Sequence, residues 1–178
     1  IGERSYSRNI KTIISLGKIC IKTLKNNKIA PVIKHIPGHG CANQDSHQKL
    51  PIVNDNLKKL YSKDFLPFKN LDSPFAMTAH ILYKKIDPQF AATQSNKVLK
   101  KIVRKRLKFK GLIISDDISM KALSRDLVVN AKNALRSGCN LVLHCNGKIN
   151  ETSKLLKSLN KIDSFTKKKT QQFYEFLR

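Results

Sequence analysis

The chain is poor in several things, and each absence narrows its class. Its longest apolar runs, such as Gly111-Leu112-Ile113-Ile114, are far too short to cross a bilayer, so no membrane partner is expected. The four cysteines, Cys20, Cys41, Cys139 and Cys145, have no CxxC spacing. In a chain of this size that favours free thiols in a reducing cytoplasm over a disulfide framework. No charged-then-apolar leader with a small-residue cleavage site is visible, and the first residue is Ile1 rather than Met, which suggests processing or a fragment. Acidic residues are scarce, 12 against 35 Lys and Arg, giving a net charge of +23. Such a charge invites a polyanion-binding reading. Yet the lysines are spread along the whole length, denser only at Lys97–Lys110 and Lys167–Lys169. No RGG tract, basic tail, Cys/His finger or RNP-like aromatic pair accompanies them, so a bias toward Lys, Ile and Asn explains the charge better than nucleic acid.

What remains is ample for one domain. The chain has 178 residues and a 40% hydrophobic fraction, enough for a core and too much for disorder. Apolar residues between positions 8 and 27 recur at helical spacing. A strand is expected near 30–35, followed by a polar segment, helical in its first half, that holds Leu57, Leu60, Tyr61, Phe65 and Phe68. Ser73–His80, Gly111–Ser115 and Asn140–Cys145 read as three more strands. Helices are expected at Lys97–Lys108, at Met120–Ser137 with Gly138 as C-cap, and from about Ile149 onward. Strand alternating with helix four times is the βα pattern of a parallel sheet. No linker, low-complexity segment or second domain is visible, so residues 1–178 read as a single, partial domain.

The chemistry gathers where strands end. Lys34, His35, His80, Asp116 and His144 each fall at the C-terminal end of an expected strand, the edge at which α/β barrels and open parallel sheets both hold ligands. The densest stretch is Lys34-His35-Ile36-Pro37-Gly38-His39-Gly40, followed by Asp45-Ser46-His47. Taken alone, each residue has an ordinary alternative. Asp116 or Asp117 could cap a helix, His47 could be an exposed loop residue, and Lys34 a solvated strand terminus. His39, Cys41 and His47 could approach a zinc ion, but a structural site needs four ligands at recognisable spacing. No metal and no cofactor is expected. His80 and His144 read as pocket-wall or structural histidines, and nothing supports Cys41 as a nucleophile.

Three ordered segments resemble a known family, the glycoside hydrolase family 3 β-N-acetylglucosaminidases. Lys34–Gly40 with Asp45-Ser46-His47 and Leu50-Pro51 resembles the KH-F-PGHG…DSH..LP signature, with Ile36 in place of the usual Phe. Met77-Thr78-Ala79-His80-Ile81-Leu82-Tyr83 with Asp87-Pro88 and Ala91-Ala92-Thr93 is similar to that family's next strand and loop. Ser115-Asp116-Asp117-Ile118-Ser119-Met120 is similar to its SDD-[LI]-SM segment, and Gly138–Asn146 to its last strand. The resemblance implies a TIM-type (β/α)8 barrel that removes terminal N-acetylglucosamine with retention, usually in cytoplasmic recycling of peptidoglycan fragments. It makes Asp116 the nucleophile, His47 the acid/base and Asp45 the group that orients His47. It places Arg4, Lys34 and His35 where the sugar is held.

A retaining glycosidase needs a carboxylate to attack the anomeric carbon and a group to protonate the leaving oxygen. Histidine can serve for the second task because it titrates near neutral pH. Four βα units are only half of a barrel, which needs about 250 residues. The expected architecture is therefore the C-terminal half of the barrel, wanting a wall that an N-terminal half would supply. An inactive fragment or remnant of the enzyme is the alternative, and a basic module binding nucleic acid or another anionic polymer is the rival from a different class.

Overall fold

Four apolar runs become four parallel strands. The computed structural model describes residues 5–44, 46, 48–123 and 126–177. Strands β1 (Val32–Ile36), β3 (Phe75–Thr78), β5 (Leu112–Asp117) and β6 (Leu141–Leu143) form one sheet in the order β1-β3-β5-β6. Every pairing in it is parallel. A second, smaller parallel pair joins β2 (Ile52–Val53) to β4 (Leu82–Tyr83). Parallel strands are stable when helices cover their faces, and Ile33, Ile36, Ala76 and Ile113 accordingly lie in the core. The expected α/β architecture of about four βα units is the one seen, with β1 and β6 at the sheet's edges.

The helices follow from local chemistry. In α1 (Ile10–Asn26) the Asn9 side chain accepts from the Lys11 and Thr12 amides at the N-terminus. In α3 (Leu127–Ser137) Asp126 does the same for Val128 and Val129, satisfying donors that a helix start leaves orphaned. This corrects one expectation: the helix does not begin at Met120. Met120–Leu123 forms a turn, and the helix starts at its Asp126 cap. Gly138 ends it with φ at +123°, as the C-cap reading required. The short α2 (Leu57–Leu60) continues through wider and tighter helical turns to Phe68. Lys97–Arg106 is a wide-turn helix, with the Leu107 amide bonded back to Ile102. It turns Val98, Leu99, Ile102 and Val103 inward and leaves Lys100, Lys101 and Lys105 outside. The C-terminal stretch is two helices, α4 (Ile149–Ser158) and α5 (Ser164–Leu177).

Side chains stitch the starts of the strands together. Arg104 donates to the Phe109 and Gly111 carbonyls and to Asn140 Oδ1, which also takes the Ile113 amide. Helix α5 crosses below this end, its Phe173 ring stacked edge-on against Phe75 at 5.0 Å. A cavity of about 540 Å³ opens there, lined by Lys25, Phe75, Lys108 and Phe173 among others. No described helix is long and apolar enough to cross a membrane.

The other ends of the strands are less regular. Lys34 lies opposite Met77 and Ile36 opposite Thr78, so β1 carries one extra residue, His35, against β3. Such a bulge re-aims a side chain. The peptide bonds Lys34–His35 and Ile36–Pro37 are cis.

Candidate active site

Asp116 sits at the C-terminal end of β5, and two neighbouring strands define its surroundings. Its backbone amide donates to Thr78 Oγ1 at 3.3 Å. Its Oδ1 accepts the Asp117 amide at 2.8 Å, and its Oδ2 lies 3.6 Å from His35 Nε2. That last distance is too long for a hydrogen bond but close enough for a charge on one group to bear on the other. Both side chains are largely buried, 19% and 17% exposed, so water screens the pair only partly.

The adjacent Asp117 is occupied differently. Its carboxylate accepts the Ser119 amide, the Ser119 hydroxyl and the Cys145 amide. It therefore caps the turn that follows β5, while the helix beyond is capped by Asp126. Asp116 carries neither job.

Behind the two aspartates stands a buried polar relay that sequence reading undervalued. His80 is fully buried, with Nδ1 2.7 Å from Thr93 Oγ1 and Nε2 3.0 Å from the Asp117 carbonyl oxygen. A carbonyl only accepts, so Nε2 carries the proton in that contact. Thr93 Oγ1 in turn lies 2.7 Å from Thr78 Oγ1. Thr78 and His80 thus hold the backbone on both sides of the Asp116–Asp117 peptide. The one available signal was that both threonines and the histidine fall in the second motif.

The glycine turn after β1 is fastened from below. Tyr83 donates its hydroxyl to the Gly38 carbonyl at 2.6 Å, and Asp64 Oδ1 accepts the Gly40 amide at 2.7 Å. A β-carbon on Gly38 would come within 2.5 Å of the Asp64 carboxyl and 2.7 Å of its backbone oxygen. Here glycine is required by close approach. Burial pushes the Asp64 carboxyl above its ordinary pKa, partly offset by the Gly40 and Cys41 amides that face it. The Cys41 thiol is raised to about 11, first by burial and then by the Asp64 charge; Cys139 is raised to about 12 by burial. All four cysteines are free, and these two are thiols at neutral pH rather than nucleophilic thiolates.

Of the six residues assigned to the site from sequence, His35 and Asp116 are brought together. Lys34 lies beside them on β1 with its side chain exposed. Arg4, Asp45 and His47 lie outside the described residues, although Ser46 between the last two is buried. His144 follows β6 with its side chain 8% exposed, 3.4 Å from Glu151 and 4.0 Å from Asp117. No cluster of three or more metal-ligating side chains occurs among the described residues. The 540 Å³ cavity lies at the other end of the strands and is not part of this site.

Comparison with known proteins places the arrangement. Residues 1–173 match the glycosyl hydrolase family 3 N terminal domain. A β-hexosaminidase of Haemophilus influenzae is 38% identical over 152 residues, covering 82% of this chain and 43% of that protein. The β-hexosaminidase of Psychromonas ingrahamii is 33% identical, covering 98% of this chain and 51% of its own length. Among solved structures, NagZ from Neisseria gonorrhoeae in complex with N-trifluoroacetyl-D-glucosamine superposes with a TM-score of 0.85 at 29% identity, over the whole of this chain and 51% of that one. A family 3 β-N-acetylglucosaminidase from a Paenibacillus gives 0.85 at 25% identity, over 97% of this chain and 35% of that one. The chain spans about half the length of the curated relatives it matches. On this match, and on a parallel α/β sheet that carries its carboxylate at the strand ends, the chain belongs to glycosyl hydrolase family 3, as part of its N-terminal domain.

Proposed function

We propose that this chain is the C-terminal half of a β-N-acetylglucosaminidase barrel, which removes terminal non-reducing N-acetyl-β-D-glucosamine with retention of configuration. The observation that carries the reading is the placement of Asp116: at a strand's C-terminal end, one oxygen held by the Asp117 amide and the other facing His35. A carboxylate fixed on one oxygen presents the other in a defined direction, which an attacking nucleophile needs. Asp116 attacks the anomeric carbon and the leaving oxygen takes a proton from His47, which Asp45 orients. Water then enters with His47 as base and releases the sugar. Arg4, Lys34 and His35 hold the sugar's polar groups. The natural substrate class is peptidoglycan-derived N-acetylglucosaminyl-anhydromuramyl fragments, met in the cytoplasm. The remaining barrel strands pair along the β1 and β6 edges, since a closed barrel has eight.

The test is hydrolysis of a chromogenic aryl N-acetyl-β-glucosaminide by the protein and by Asp116→Ala. Turnover that disappears in the variant, with β-configured sugar as first product by NMR, supports the reading. Turnover that survives in Asp116→Ala rejects the nucleophile. No turnover together with salt-dependent retention on heparin or RNA would favour the basic binding module.

A further inference from the structure

The ladder between β3 and β5 stops short of the carboxylate it leads to. Phe75 pairs with Leu112, Ala76 with Ile113 and Met77 with Ile114, and there the register ends. Strand β5 continues to Asp117. The chain after Thr78 turns instead toward β1, the Ala79 amide donating to the Ile36 carbonyl at 2.9 Å. On its β3 side the last stretch of β5 is therefore met by side chains. Thr78 Oγ1 accepts the Asp116 amide, and His80 Nε2 donates to the Asp117 carbonyl. Thr93 Oγ1 joins the two, 2.7 Å from Thr78 Oγ1 and 2.7 Å from His80 Nδ1. All three residues are fully buried, where hydrogen bonds are electrostatically stronger than in water.

The two backbone groups held in this way flank a single peptide unit. The Asp116 N–H belongs to the peptide before it, and the Asp117 carbonyl to the peptide after it. Between them lies the Asp116–Asp117 peptide, whose own N–H fixes Asp116 Oδ1 at 2.8 Å. Rotation of that peptide would swing the donor and the carboxylate together, and the Thr78 and His80 bonds oppose it from both ends. Thr93 can answer either form of the imidazole. It donates to a bare Nδ1, or accepts from a protonated one and turns its own proton to the Ala79 carbonyl at 3.1 Å.

We infer that His80 is a positioning residue for the nucleophile: with Thr93 and Thr78 it brackets the Asp116–Asp117 peptide and so sets the direction of the Asp116 carboxylate. The inference rests on the reading of Asp116 given above. Acting through Asp116, His80 bears on the chemical step and not on the holding of the sugar.

The experiment uses the full natural protein with His80→Asn and His80→Gln. The Asn amide reaches toward Thr93 but is too short for the Asp117 carbonyl, whereas the Gln amide carries a donor about as far out as Nε2. Both are assayed on an aryl N-acetyl-β-glucosaminide with a poorly departing methoxyphenolate, and amide hydrogen exchange at Asp116 and Asp117 is followed in parallel. His80→Asn is expected to lower kcat about 10- to 100-fold while KM changes less than about threefold, with faster exchange at both amides. His80→Gln recovers most of the loss and the slower exchange. A loss confined to KM, a His80→Asn variant as fast as the parent, or a His80→Gln variant as slow as His80→Asn would overturn the inference. If His80→Asn does not fold, Thr78→Val, similar in size but without an acceptor for the Asp116 amide, takes its place: a lowered kcat at unchanged KM supports the bracket and a parental kcat overturns it. A parent protein that does not hydrolyse the substrate counts against the glycosidase reading. Exchange then decides the bracket alone, supporting it if faster in Asn and parental in Gln and overturning it otherwise.

Discussion

His35 and Asp116 approach to 3.6 Å although β3 runs between their strands. Two strand spacings amount to about 9.6 Å in a flat sheet, so their side chains must converge over the end of β3. Both side chains reach that far when they lean toward one another on one face, and the extra residue in β1 falls at His35, where a bulge re-aims the side chain.

Removing the Asp116 carboxylate should abolish turnover without unfolding the chain. Asp116→Asn is expected to lose roughly three orders of magnitude or more in kcat, while the far-ultraviolet circular dichroism stays that of the parent. A variant within tenfold of the parent would remove Asp116 from the mechanism.

Loss of the His35 imidazole should be milder. His35→Ala leaves the Asp117 amide on Asp116 but removes the facing group, and a decrease of about 10- to 100-fold in kcat/KM is expected. Measuring KM and kcat separately tells whether His35 holds the sugar, which raises KM, or serves the chemical step, which lowers kcat.

Two glycine substitutions should destabilise for different reasons. Gly138→Ala forces φ of +123° on a residue with a β-carbon, although the nearest side-chain atom, on Leu99, is an ordinary 3.4 Å away; strain of about 1 kcal/mol or more is expected. Gly38→Ala meets the Asp64 carboxyl and backbone oxygen instead, and overpacking costs about 1–3 kcal/mol. Urea midpoints report both. The double variant Gly38→Ala/Asp64→Ala should recover only part of the loss, because the Asp64 backbone oxygen remains 2.7 Å from the added carbon.

Stability should fall as pH rises through the range in which Asp64 ionises. Its folded pKa lies above the ordinary value of 3.8 because of burial, so the folded state binds more protons than the unfolded chain there. By linkage, this carboxyl favours folding below 3.8 and loses that contribution as pH rises toward the raised value. Unfolding titrations from pH 4 upward, compared with Asp64→Asn, should show the slope in the parent and its absence in the variant. Asp126 and Asp163 carry the opposite sign. Their folded pKa values are lowered, first by hydrogen bonds from Lys154 and Thr166, so their contribution is present above the ordinary value and lost on acidification.

The strands β1, β3, β5 and β6 were legible because each is an apolar run ended by polar residues. The β2–β4 pair was not, since two-residue strands carry no period to read. The helix before Ser137 was drawn too long because apolar spacing persists upstream of the residue that caps it, Asp126. Asp116 announced itself through its motif, whereas Asp64, close after Lys58, Lys59 and Lys63, reads as a solvated acid. Its burial is a tertiary fact, foreshadowed only by two glycines twenty-odd positions away that leave room for it. Thr78 and Thr93 give no such sign, and His80 reads as a structural histidine without naming its partners, because the bonds that join the three cross between segments.

The extra residue in β1 has a consequence for how this motif can change. With Lys34 against Met77 and Ile36 against Thr78, a regular ladder would need one letter fewer, and the surplus letter is the histidine that meets Asp116. Shortening the stretch by a single codon would repair the ladder and remove the imidazole from the mouth of the sheet. Substitution at Ile36 by another apolar residue leaves the count intact.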